Sequence, residues 1–161
     1  MAIRALHEAD EGDEAALRLD DYLPYRLAVA SSAVSRLIAR AYEDRFGLTI
    51  AQWRVFCILV QDGPRPCAAL AAQAGMDAEA IDGAVRAMVR RGLADMVPGE
   101  PAADIRLTPD GARLYEQIAP LALAYEAALI SGLAPQEVAL LKRLLSRLQG
   151  AASVLAGERP A

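Results

Sequence analysis

The chain has 161 residues, 55% of them hydrophobic but only 5% aromatic, and a formal net charge of −4. That length suits one domain or two small lobes sharing a core, and the Ala- and Leu-rich composition favours helices, where these side chains lose little entropy. A single histidine (His7), two cysteines (Cys57 and Cys67) and no glycine-rich phosphate loop leave little for zinc, Ser-His-Asp or Cys-His chemistry, so no enzyme activity, cofactor or metal is expected.

Residues 1–20 set Arg4 and Arg18 against six carboxylates and read as an acidic, disordered leader. No stretch is apolar for long enough to serve as a signal peptide or membrane span, which predicts a cytoplasmic protein with no membrane partner. The first helix is predicted from about Tyr22 to Phe46. Leu23, Leu27, Ala30, Val34, Leu37 and Ala41 alternate steps of four and three, the narrow stripe of a helix seam, and Gly47 supplies a stop. Thr49-Ile-Ala-Gln52 has the form of a capping box. The helix it opens reaches about Gln61, with Trp53, Phe56, Leu59 and Val60 expected inside. Asp62-Gly63-Pro64-Arg65-Pro66 breaks it.

A short helix follows from Cys67 to Ala74, ended by Gly75. Asp77 is the expected N-cap of a fourth helix running to about Arg91, with Ile81, Val85 and Met88 inward. After Gly92, Leu93–Val97 and Asp104–Leu107 read as two strands of a hairpin, with Ile105 and Leu107 on one face and Pro98–Pro101 as the turn. Thr108-Pro109 opens another helix, Thr at the N-cap and Pro at N1, bent at Pro120 and ending near Ser131. Ala134-Pro135-Gln136-Glu137 starts the last. Its seam, Val138, Leu141, Leu145, Leu148, Ala152 and Leu155, wants another helix against it. Packing inside one monomer or a dimer interface would satisfy it. Leu23, Leu27, Val138, Leu141, Leu145 and Leu148 are the candidate dimer contacts.

Helix, tight turn, helix and hairpin over residues 64–108 make a winged helix-turn-helix, whose second helix normally lies in a DNA major groove. Within that order, Leu48-Thr-Ile-Ala-Gln-Trp-Arg-Val-Phe, Leu70-Ala-Ala-Gln-Ala-Gly-Met, Val89-Arg-Arg-Gly-Leu-Ala and Leu107-Thr-Pro-Asp-Gly-Ala-Arg-Leu-Tyr resemble the MarR (multiple antibiotic resistance regulator) family. The resemblance covers residues 20–155. It implies a homodimer with interlocked terminal helices, two winged lobes on a palindromic double-stranded DNA operator, and a pocket for a small aromatic effector between lobe and dimer body.

The expected fold is therefore mainly α, a winged helix-turn-helix with a small β-hairpin wing and a helical dimerisation region made from N- and C-terminal helices. The lobe is placed at 48–108, the dimerisation region at 21–47 and 109–156, and a tail at 157–161. Arg65, Glu79, Asp82, Arg86, Arg90 and Arg106 are the candidate DNA contacts. Arg36, Arg40, Trp53 and Tyr115 are the candidate effector-pocket residues. Cys67, at the positive end of a helix, is the better redox-sensor candidate of the two thiols.

The recognition helix departs from the family in its outward acids, Glu79 and Asp82, and the wing holds only Arg106. From Gly63 to Thr108 the acids outnumber the bases by one. Because phosphate neutralisation supplies non-specific DNA affinity, two readings stand: a ligand-responsive DNA-binding regulator, or a paralogue with weakened or lost DNA binding that acts through a ligand or a protein partner.

Overall fold

The computed structural model describes residues 17–99 and 102–157. His7, most of the acidic leader, Glu100 and Pro101 of the wing turn, and the last four residues lie outside that range. Six helices and three strands follow in order: α1 (Leu23–Phe46), α2 (Ile50–Asp62), β1 (Arg65–Pro66), α3 (Cys67–Ala74), α4 (Ala78–Arg90), β2 (Ala94–Val97), β3 (Asp104–Leu107), α5 (Pro109–Ile130) and α6 (Pro135–Ala156). No single helix among the described residues is long and apolar enough to cross a membrane.

Leu23–Tyr125 forms one compact unit, and among the described residues 17–22 with 126–157 form another. The core lies in the first. Leu48, Val55, Phe56, Leu70, Ile81, Met88, Ile105 and Ile118 are sealed from solvent there, with Tyr42 of α1. The expected stops hold: α1 ends at Gly47 and α3 at Gly75, both left-handed, a conformation that costs glycine little. The Thr49 capping box forms in full, the hydroxyl accepting from Gln52 N–H and Gln52 Oε1 accepting from Thr49 N–H at 2.9 Å.

Four details differ from the sequence reading. Val60 is 46% exposed, and Val55 is buried in its stead. The buried stripe of α2 runs Gln52, Val55, Phe56, Leu59, and Val60 lies about 40° past Phe56, outside the edge of that stripe. Asp77 sits at the N-cap of α4 with extended backbone, yet its side chain makes no capping hydrogen bond. The wing is not a lone hairpin, because Arg65 and Pro66 add a third antiparallel strand in the order β1-β3-β2, with Arg65 opposite Ile105. The Cys67 environment is the fourth, described below with the site.

The wing is tied to α5 by a tight joint. Thr108 donates its hydroxyl to the Gly92 carbonyl at 2.6 Å and accepts from Gly111 N–H at 3.1 Å, capping α5 as expected. Gly111 lies so close to the Leu93 carbonyl that a Cβ there would stand 2.0 Å from its oxygen, so only glycine fits. In the second unit α6 buries none of its side chains. Its first turn is held by Glu137, whose carboxylate accepts from Ala134 N–H at 2.7 Å.

Candidate functional site

The face of α4 opposite its buried stripe is the first candidate surface. Ile81, Ala84, Val85 and Met88 fix the helix to the core, leaving Glu79, Arg86, Val89 and Arg90 exposed and Asp82 half-buried. Arg86 donates to the Asp82 carboxylate one turn before it. On the neighbouring sheet Asp95 and Arg106 stand opposite each other in register and form an ion pair at 3.5 Å. Arg65 is exposed on β1. Arg65, Glu79 and Arg90 have no ion-pair partner among the described residues. The six candidate contacts thus lie on α4 and the small sheet.

A recess of about 250 Å³ is lined by Cys67, Met96 and, on α4, Asp82, Val85, Arg86, Val89 and Arg90. Here the expectation for Cys67 reverses. Burial pushes its thiol up, the Asp82 carboxylate pushes the same way, and Arg86 only partly opposes them. Cys67 is thus held above, not below, the ordinary thiol range.

Two arginines missed in the sequence serve the scaffold. Arg91, at the C-terminal end of α4, donates to the carbonyls of Gly47 at 2.8 Å and Phe46 at 3.0 Å, satisfying the open end of α1. Arg54 does the same for α3, donating to the Ala74 carbonyl at 2.7 Å. Neither carried a local signal, since the partners lie 44 and 45 residues away for Arg91 and 20 for Arg54.

The second candidate surface is an open groove of about 740 Å³ lined by Arg45, Phe46, Gln117, Pro120, Leu121 and Ala124. The Arg45 guanidinium stands over the Phe46 ring, 5.8 Å from its centroid. Apolar walls with one guanidinium and one amide suit a flat organic anion. The sequence hinted at this place only through Gly47, which ends α1 right after Arg45-Phe46, and through Pro120 inside α5.

The aromatic residues named from the sequence do meet. Trp53 stacks on Tyr115 at 5.6 Å between centroids with 14° between planes, and Tyr42 packs on Trp53 at 5.1 Å and 56°. Burial, with Cys57 and Tyr125 nearby, pushes the Tyr42 phenol up to about 12. Arg36 and Arg40 are exposed on α1 and do not line the groove.

No family model and no curated protein matches the chain, but many solved structures do. The MarR/EmrR family transcriptional regulator from Acinetobacter sp. ADP1 matches with a TM-score of 0.80 at 19% identity, over 85% of this chain and 99% of its own. The Bordetella bronchiseptica regulator BpsR, whose DNA binding is regulated by 6-hydroxynicotinic acid, matches with a TM-score of 0.73 at 22% identity, over 83% and 98%. A MarR family transcriptional regulator from Silicibacter pomeroyi DSS-3 is 30% identical, with a TM-score of 0.74 over 84% of this chain and 98% of its own. The chain belongs to the MarR family of transcriptional regulators.

In this MarR-family chain the side chains named for a dimer seam fall on two helices. Leu23 and Leu27 are exposed on α1. On α6, Val138 is half-buried and Leu141, Leu145 and Leu148 are exposed. The described helices and strands of the MarR-type winged helix fall within Leu23–Tyr125, and both candidate surfaces belong to that unit.

Proposed function

We propose that this MarR-family regulator is a cytoplasmic homodimer without catalytic activity that binds a palindromic operator, with its DNA affinity set by a small aromatic anion. The observation that carries the reading is the exposed face of α4 beside the wing. A helix anchored by four buried side chains offers Glu79, Arg86 and Arg90 outward, the arrangement with which a second helix of this motif enters a major groove. Arg65 and Arg106 are suited to phosphate from the sheet, and Glu79 to the amino group of cytosine. Dimerisation through 21–47 and 109–156 would bury the leucines exposed on α1 and α6.

The effector reading rests on the Arg45–Phe46 groove. Arg45 would take a carboxylate, and Phe46, Pro120 and Leu121 a flat ring. The dependence of BpsR on 6-hydroxynicotinic acid supports an acid of this class. Arg36, Arg40 and the Trp53–Tyr115 stack are not among the residues lining this groove and would serve an effector only from outside it. Phe46 also takes a hydrogen bond from Arg91 at the end of α4. A ligand that prefers one position of Phe46 therefore biases the recognition helix, and with it the population of DNA-competent dimers.

The acid excess on the lobe favours the second reading, a paralogue that has lost its operator. Selection of bound duplexes from random DNA separates the two. The regulator yields a palindrome bound with a clear salt slope, whereas no enrichment even at low salt supports the paralogue. With a selected site in hand, aromatic carboxylates shift the affinity of the unmodified protein and shift that of Arg45→Gln much less. An equal response in both proteins rules out the groove.

A further inference from the structure

The lobe between Gly63 and Thr108 carries five arginines, Arg65, Arg86, Arg90, Arg91 and Arg106. Their engagements divide them. Arg91 is spent on the Phe46 and Gly47 carbonyls. Arg86 is held by Asp82, one turn earlier on α4, and Arg106 by Asp95, its cross-strand neighbour. Only Arg65 and Arg90 remain without an ion-pair partner among the described residues. Both pairs are open to solvent, with side-chain exposures between 49% and 61%.

We infer that Asp82 and Asp95 are internal stand-ins for DNA phosphate, which occupy Arg86 and Arg106 and so suppress binding to bulk DNA. The inference rests on the DNA-binding reading above and adds which residues set its stringency. Bulk DNA is held by charge alone, and each phosphate neutralised contributes about 0.9 to the salt slope. Two free arginines per lobe in place of four make that grip weak. Exposed ion pairs are worth at most about a fivefold factor each, so the stand-ins are exchangeable. An operator that aligns phosphates and base edges with Arg86 and Arg106 displaces the carboxylates. A random sequence, approached loosely and through water, does not. The acidic recognition face is then a filter rather than a loss of function.

The test is a double-mutant cycle read by fluorescence anisotropy on a random-sequence duplex of about 40 base pairs, from about 20 to 200 mM salt. The proteins are the full chain, Asp82→Asn, Arg86→Gln and Asp82→Asn/Arg86→Gln, with a matching set at Asp95 and Arg106. Thermal melts check that each is folded. Asp82→Asn is expected to tighten binding by up to about fivefold at low salt and to steepen the salt slope by about 0.9. Most of that gain disappears when Arg86 is already Gln. The same gain with and without Arg86 would mean that overall charge, not release of the arginine, is responsible, and would overturn the inference. So would binding by the full chain that Asp82→Asn and Asp95→Asn leave unchanged. Absence of binding by every protein at the lowest salt would overturn the DNA-binding reading along with it.

Discussion

At the scale of single residues, Cys57 and Tyr42 couple the fold to alkaline pH. Burial pushes the Cys57 thiol up from 9.0 to about 11, a backbone hydrogen bond opposing it weakly, and pushes the Tyr42 phenol up from 10.0 to about 12. The ionised forms are thus disfavoured in the folded chain relative to the unfolded one. The Cys57 contribution to stability is complete below 9.0 and is lost as pH rises through about 11, and that of Tyr42 is complete below 10.0 and lost through about 12. Thermal melts should show a level Tm from neutral pH to about 8.5 and a steady fall above about pH 9, less steep in Cys57→Ala. A Tm that holds through about pH 11 would contradict this account. Cys67 follows the same logic: its raised thiol should react slowly with disulfide reagents at neutral pH, which a thiol-labelling time course checks. The sequence places Cys67 at a helix start, which argues for reactivity. What it does not display is the carboxylate of Asp82, brought alongside only when α3 packs on α4.

At the scale of elements, the caps of α2 and α4 make a controlled pair. Thr49 closes a complete capping box, whereas Asp77 occupies the same position on α4 with no side-chain hydrogen bond. Thr49→Ala should cost about 1 kcal/mol in urea unfolding and Asp77→Ala under about 0.5 kcal/mol. Equal losses would show that Asp77 caps after all. The helices themselves were legible because each carries its own punctuation, such as Gly47, Gly75 and the Thr108-Pro109 start. The strand β1 was not, since two residues with no alternation become a strand only by pairing with β3. The same reason hid the groove, whose walls come from residues 45–46 and 117–124 and meet only on folding. On the recognition face the residue types were legible but their pairings were only partly so. Asp82 and Arg86 are four apart on one helix, while Asp95 and Arg106 meet through strand register.

At the scale of the whole molecule, the exposed leucines call for a second copy. Leu141, Leu145 and Leu148 recur at seam spacing on a helix with no fully buried side chain in the single chain. Light scattering should give a dimer at micromolar concentration, and Leu145→Glu/Leu148→Glu should give a monomer that keeps the fold of Leu23–Tyr125. A monomeric unmodified chain would refute the pairing.

The smallest element in the molecule has a consequence of its own. The sheet β1-β3-β2 has two outer margins, and β1 ends in Pro66 and is preceded by Pro64, neither of which has an amide proton to offer. The other margin is four residues long, carries Asp95, and runs into Pro98. Such borders give a foreign chain too few partners to lengthen the sheet. The wing is thereby expected to resist edge-to-edge pairing, and concentrated solutions of this regulator should stay clear where a longer, unblocked ribbon would gel.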